Sequence, residues 1–163
     1  SFSSDDLAGK DVCRKALADE IGWADGAPIV GMVSRLVEQK GIDLALEVVR
    51  YAEHLPFRLV LLGSGDQGLA DWARWLGDQT PDRVHFVDGF DRSFAHRIFA
   101  GSDLLLMPSR FEPCGLAQMQ AMEYGTIPVV SYLEEVLGEM LEEEAVLDAF
   151  FTAPWPANPL ADL

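Results

Sequence analysis

The sequence predicts an α/β fold, a Rossmann-like doubly wound parallel sheet with helices on both faces. Short β-rich runs alternate with helical patterns along the chain, the sequence form of βαβ units around a parallel sheet. The runs are almost continuously apolar, as strands covered on both faces must be. Of the 163 residues, 49% are apolar and 24% charged, enough to bury one core and no composition for disorder.

The elements follow in order. Residues 10–20 read as a lead-in helix, and 29–34 (IVGMVS) as the first strand. Residues 41–53 form a helix with a broad apolar face of Ile42, Leu44, Ala45, Leu46, Val48 and Val49, leaving Glu47, Arg50 and Glu53 outward. The second strand is 57–62 (FRLVLL), followed by a helix at 67–78. Then come strand 84–87 (VHFV), helix 93–101, strand 103–108 (DLLLMP), helix 115–124 and strand 127–131 (IPVVS). A last helix is expected at 133–148, where Leu133, Val136, Leu137, Met140 and Leu141 face away from Glu134, Glu135, Glu139, Glu142 and Glu143. The reading is one domain: a lead-in helix and loop at 1–28, a core at 29–130 and an acidic tail at 131–163.

Charge narrows the partners. The net charge is −15, which argues against general affinity for nucleic acid or an anionic membrane. Residues 1–110 hold all twelve Lys and Arg against seventeen acids, a balance of −5; residues 111–163 hold ten acids and no base, a balance of −10. An anion site therefore belongs to the first two thirds of the chain or to backbone dipoles. Cys13 and Cys114 suggest neither a disulfide framework nor a zinc ribbon. The expected setting is reducing and cytoplasmic. No apolar run reaches the length of a membrane span, the start SFSSDDLAGK has no signal-peptide form, and the missing initiator Met points to an excised domain or a processed chain.

Three turns carry candidate chemistry. Gly63-Ser64-Gly65-Asp66-Gln67-Gly68 matches GxGxxG after a strand, and Asp88 stands where a ribose-binding acid would be expected. The motif follows the second strand rather than the first, so glycines serving a tight turn are the favoured reading over a dinucleotide site. In Ser34-Arg35-Leu36-Val37-Glu38-Gln39-Lys40-Gly41, two cations bracket a strand exit, a pair suited to a diphosphate. The alternative is a solvated loop in which Arg35 and Lys40 pair with Glu38 or Asp43. In Pro108-Ser109-Arg110-Phe111-Glu112-Pro113-Cys114-Gly115-Leu116, the N–H groups of Gly115 and Leu116 open a helix and can point at a phosphate. Glu112 beside them is either a sugar-hydroxyl acceptor or a cap for that helix. His54, His85 and His96 stand in no recognisable catalytic arrangement.

The stretches VSRLVEQKGIDL (33–44), LVLLGSGD (59–66) and VDGFDRSFAHRIFAGSDLLLMPSRFEPCGLAQMQAMEYGTIPVV (87–130) resemble the C-terminal, nucleotide-sugar-binding domain of the bacterial glycogen synthase and plant starch synthase family, retaining glycosyltransferases of the GT-B fold. The resemblance implies one half of a GT-B fold and a donor site for ADP-glucose or UDP-glucose. It assigns LGSGD to the family's own pattern, with no NAD. It implies that Arg35 and Lys40 hold the diphosphate and stabilise the departing nucleoside diphosphate, that Glu112 contacts the transferred glucose, that Gly115 and Leu116 donate backbone N–H groups to the phosphates, and that Phe90 stacks on adenine. Cys114 is expected to fit the tight phosphate loop. Catalysis without metal or cofactor is implied, and a plant-like source would place the chain in a plastid.

The chain departs from the family after Val130. Where members continue Thr-Gly-Gly-Leu, it reads Ser131-Tyr132-Leu133-Glu134-Glu135-Val136, which sets two carboxylates in the expected path of phosphate. The family's N-terminal domain is not in this sequence, so the chain alone is expected to bind donor and transfer nothing. The alternative is a non-catalytic interaction protein, natural or engineered, on the same fold, with 133–148 as the partner-binding helix.

Overall fold

A computed structural model describes residues 8–130 apart from 25, 53 and 111–114. All of them belong to one compact unit. The expected helix at 133–148 and the departure at 131–136 lie outside the described residues.

The chain runs α1 (Ala8–Ile21), β1 (Ile29–Val33), a 3-10 turn (Glu38–Lys40), α2 (Ile42–Tyr51), β2 (Arg58–Gly63), α3 (Gln67–Gln79), β3 (Val84–Asp88), α4 (Arg92–Gly101), β4 (Leu104–Met107), α5 (Leu116–Glu123) and β5 (Ile127–Val130). Each expected strand is present, with its ends moved by a residue or two. Phe57 turns into β2 by donating its N–H to Leu55, so pairing begins at Arg58. Ser34 donates to the Leu62 carbonyl at 3.1 Å just beyond β1. The helix expected at 41–53 ends at Tyr51, where Ala52 closes it by donating to Val48 at 2.8 Å.

The five strands are parallel in the order β3-β2-β1-β4-β5. From β1 the chain moves outward through β2 to β3, then returns across the sheet to β4 and continues to β5. Right-handed crossovers therefore place α2 and α3 on one face and α4 and α5 on the other. The packing agrees, since α2 lies against α3, and α4 lies against α1, α5 and β1. This is the doubly wound arrangement expected from the sequence.

Helix α2 buries the stripe its pattern provides. In α2 the buried residues are Ile42, Ala45, Leu46 and Val49, while Leu44 and Val48 are half-buried and Glu47 and Arg50 exposed. On the other face, Leu17 and Ala18 of α1, Phe94 and Ile98 of α4, and Ile29, Val60 and Leu62 of the sheet make one core cluster. Full burial of such side chains contributes about 1.5–3 kcal/mol each. Phe99, Leu105, Met107 and Ala121 form a second cluster under α5. At the N-terminal edge of the sheet, the Asp103 carboxylate accepts the Ile29 amide at 2.7 Å and the Arg14 guanidinium at 3.0 Å, which fastens α1 to β1 and β4 together.

Candidate functional site

In a sheet of this order the direction of winding reverses between β1 and β4. The loops leaving their carboxyl ends diverge to opposite faces, and a crevice opens between them. A cleft of about 230 Å³ occupies that place. Its floor is Met32, Val33, Leu106 and Met107; Ser34, Arg35 and Lys40 line it from the β1 side, and Ser109, Leu116 and Ala117 from the β4 side.

The structure thus brings Arg35, Lys40 and Leu116 together. Arg35 is exposed and Lys40 half-buried at the end of the 3-10 turn. Across the cleft, Gly115 is the N-cap of α5 with φ +61°, and it accepts the Gln118 amide at 3.2 Å. Gly115 itself brings no capping side chain, and the first turn of α5, at Leu116 and Ala117, presents the positive end of the helix dipole to the cleft. Two cations and a helix N-terminus converging on one crevice can hold a multiply charged anion. Glu112 and Cys114 lie outside the described residues. Phe90 stands apart: it follows edge strand β3, is 91% exposed and does not line the cleft.

The glycine-rich turn acts on this site from behind. Leu36 pairs with Gly65, its amide donating to Ser64 at 2.9 Å and its carbonyl accepting from Asp66 at 2.7 Å. A Cβ at Gly63 would strike the Ser34 carbonyl, and one at Gly65, with φ +154°, the Leu36 carbonyl. These glycines let the β2–α3 turn lie backbone to backbone against the loop that carries Arg35. Asp66 caps α3 by accepting the Leu69 amide at 3.0 Å, and Asp88 pairs with Arg74 at 3.0 Å. The tight-turn reading of GxGxxG therefore has its physical reason.

The solvated-loop alternative offered Glu38 or Asp43 to Arg35 and Lys40, and the structure pairs Asp43 with Arg110. The guanidinium holds both carboxylate oxygens, Nη1 to Oδ1 at 2.8 Å and Nη2 to Oδ2 at 2.7 Å. This pairing holds the Asp43 carboxyl below the usual range and pushes Arg110 further up. Spacing could not show a partnership across sixty-seven residues. Ser109, quoted in its motif without a role, and Ala117, adjacent to Leu116, also line the cleft.

The histidines lie elsewhere. His96 Nδ1 is 3.0 Å from the Tyr124 hydroxyl, joining α4 to α5. His85 stands edge-on to Trp23 and Phe94, where burial pushes its pKa below the ordinary value.

The family pattern described as glycosyl transferases group 1 matches residues 14–161. Glycogen synthase of Aeromonas hydrophila subsp. hydrophila is 46% identical over 131 residues, covering 80% of this chain and 27% of that protein. Glycogen synthase of Anaeromyxobacter dehalogenans strain 2CP-C is 49% identical, covering 79% of this chain and 28% of that protein. The catalytic domain of starch synthase IV from Arabidopsis thaliana, solved bound to ADP and acarbose, is 37% identical with a TM-score of 0.74, over 80% of this chain and 28% of that one. The chain spans little more than a quarter of the length of these relatives. The sequence-based resemblance is thereby matched by relatives and fold alike, and the chain belongs to the group 1 glycosyl transferases as a glycogen/starch synthase-like domain.

Proposed function

We propose that the domain binds the nucleotide-sugar donor, ADP-glucose or UDP-glucose, of a glucosyltransferase. The observation that carries this reading is the convergence of Arg35, Lys40 and the N-terminus of α5 on one cleft at the switch point of the sheet. A structural relative solved with ADP supports the ligand class. In this reading Arg35 and Lys40 grip the diphosphate, and the α5 amides at Leu116 and Ala117 add fixed dipoles. Charge that develops on the nucleoside diphosphate as the glycosidic bond breaks is met by groups already in place, which lowers the barrier without reorganisation. Glu112 accepts from glucose hydroxyls, Gly115 and Cys114 shape the phosphate loop, and Phe90, exposed on the turn after β3 outside the cleft, meets a base that extends from the diphosphate along the strand ends toward β3. Transfer to an acceptor needs a second cleft wall, so the domain alone binds donor without turning it over.

Calorimetric titration of the folded chain with ADP, ADP-glucose and UDP tests the reading. Binding of at least one ligand at millimolar concentration or below is expected; no heat from any of them, with the fold intact, removes the donor site. A second reading, an interaction protein on the same fold, draws on exposed Leu116, Met119 and Met122 of α5 beside exposed Ile127 of β5. Light scattering on the eluting chain separates the two, since a monomer that binds ADP argues against it.

A further inference from the structure

Residues on both sides of Lys40 are tied to the loop between β4 and α5, and Arg110 makes most of the ties. Before Lys40, the Glu38 carbonyl accepts from Arg110 Nη1 at 2.6 Å and the Gln39 carbonyl accepts the Arg110 amide at 2.8 Å. After it, Gly41 has φ +64° and lies so close to the Pro108 carbonyl that no Cβ fits. Asp43 then takes the Arg110 fork. The 3-10 turn that ends in Lys40 buries none of its own residues; Leu36 before it and Ile42 after it are anchored in the core, and these bonds tie the turn between them to the β4–α5 loop.

Both terminal nitrogens of Arg110 are committed to Asp43 and the Glu38 carbonyl, and Glu38 and Glu47 add negative field around it. The fork of Arg110 is therefore engaged within the protein. A bidentate guanidinium–carboxylate pair fixes distance and plane at once, which a lysine ammonium does not.

We propose that Arg110 is a positioning residue for donor binding: by clamping Asp43 and the Glu38 and Gln39 carbonyls, it sets where the Lys40 ammonium stands relative to Arg35 and the α5 N-terminus. The proposal rests on the donor-site reading and adds to it a residue that acts only through Lys40. Without the clamp, Lys40 remains a flexible point charge whose affinity for a diphosphate is diluted over many positions.

The test is ADP titration of the full chain carrying Arg110→Lys, Asp43→Asn, Lys40→Ala, or Arg110→Lys with Lys40→Ala. Arg110→Lys and Asp43→Asn are each expected to raise the ADP dissociation constant about tenfold. In the Lys40→Ala background the Arg110→Lys effect should fall to within about twofold, because the group being positioned is gone. A role in stability alone lowers the melting temperature but leaves the two effects additive, and additivity overturns the proposal. So does an Arg110→Lys defect that Asp43→Asn does not share, since Arg110 would then touch the ligand directly. Should Arg110→Lys fail to fold, Asp43→Asn with Lys40→Ala carries the same comparison. Amide exchange on the ligand-free chain tests the clamp without ADP: Asp43→Asn should speed exchange at Gly41 and at position 110 while β2 is unchanged. Unchanged exchange there overturns the clamp, whereas failure of the wild-type chain to bind ADP overturns only the donor-site reading.

Discussion

Lys10 of α1 donates its ammonium to the hydroxyl of Thr126, 116 residues further along, and reaches the Phe99 carbonyl at 3.4 Å. Thr126 in turn lies within hydrogen-bond reach of the Phe99 and Ser102 carbonyls at the end of α4. A cation is well placed at such a helix end. Burial nevertheless dominates and lowers the Lys10 pKa from 10.5 to about 8, with the charges of Asp103 and Cys13 opposing it.

A pH dependence follows. Between about 8 and 10.5 the folded chain has released the Lys10 proton while the unfolded chain retains it, so the contribution of this group to stability rises with pH across that window. Urea unfolding of wild type and Lys10→Met at pH 7 and pH 10 should show their difference shift in favour of wild type at the higher pH. The shift should be of order 1 kcal/mol, reduced by the water that still reaches the ammonium. Parallel behaviour at both pH values would sink the prediction.

Arg35→Ala and Lys40→Ala should each weaken ADP binding by about 1–3 kcal/mol, the worth of a charge-assisted hydrogen bond to phosphate. Thermal melts should barely move for Arg35→Ala, whose side chain is exposed. Unchanged affinity in both variants would remove them from the site.

Gly65→Ala should destabilise the fold by about 2 kcal/mol or more, because the new Cβ meets the Leu36 carbonyl at a φ that L-residues avoid. Gly68→Ala, by contrast, should change stability by less than about 1 kcal/mol, since it lies in α3 near only the Asp66 carboxylate. Chemical denaturation midpoints decide it. Equal tolerance at both positions would contradict a turn built around Leu36.

Replacing Leu133→Thr, Glu134→Gly and Glu135→Gly together should tighten ADP binding, about tenfold if both carboxylates lie near the diphosphate. An unchanged dissociation constant would place that stretch away from the phosphates.

What the sequence revealed depended on range. The strands were legible because IVGMV, RLVLL and LLLM have no other way to hide their side chains than in a sheet covered twice. The α2 face was legible because its period is local. Arg35, Lys40 and Leu116 could be named because a strand exit is a local event, and the switch point then brings separate exits together. The partnership of Asp43 with Arg110 was not legible, since the loop offered Asp43 nearer cations and nothing in its spacing favours one across the sheet. Lys10 with Thr126 was hidden for the same reason. Phe90 marks another limit of range: its turn was legible after β3, but spacing does not say that β3 is the edge strand, two strands from the cleft.

The β1–β4 junction has a mechanical consequence. These strands register only through Val30 with Leu104 and Gly31 with Leu105, a short seam between the β3-β2-β1 and β4-β5 parts of the sheet. Asp103 pins one end of the seam to Ile29, and Arg110 pins the other to Asp43. The cleft straddles it, so an anion gripped from both sides acts as a third pin. Occupancy then stiffens the joint itself, and protection against hydrogen exchange should rise in step on β1 and β4 rather than on either loop alone.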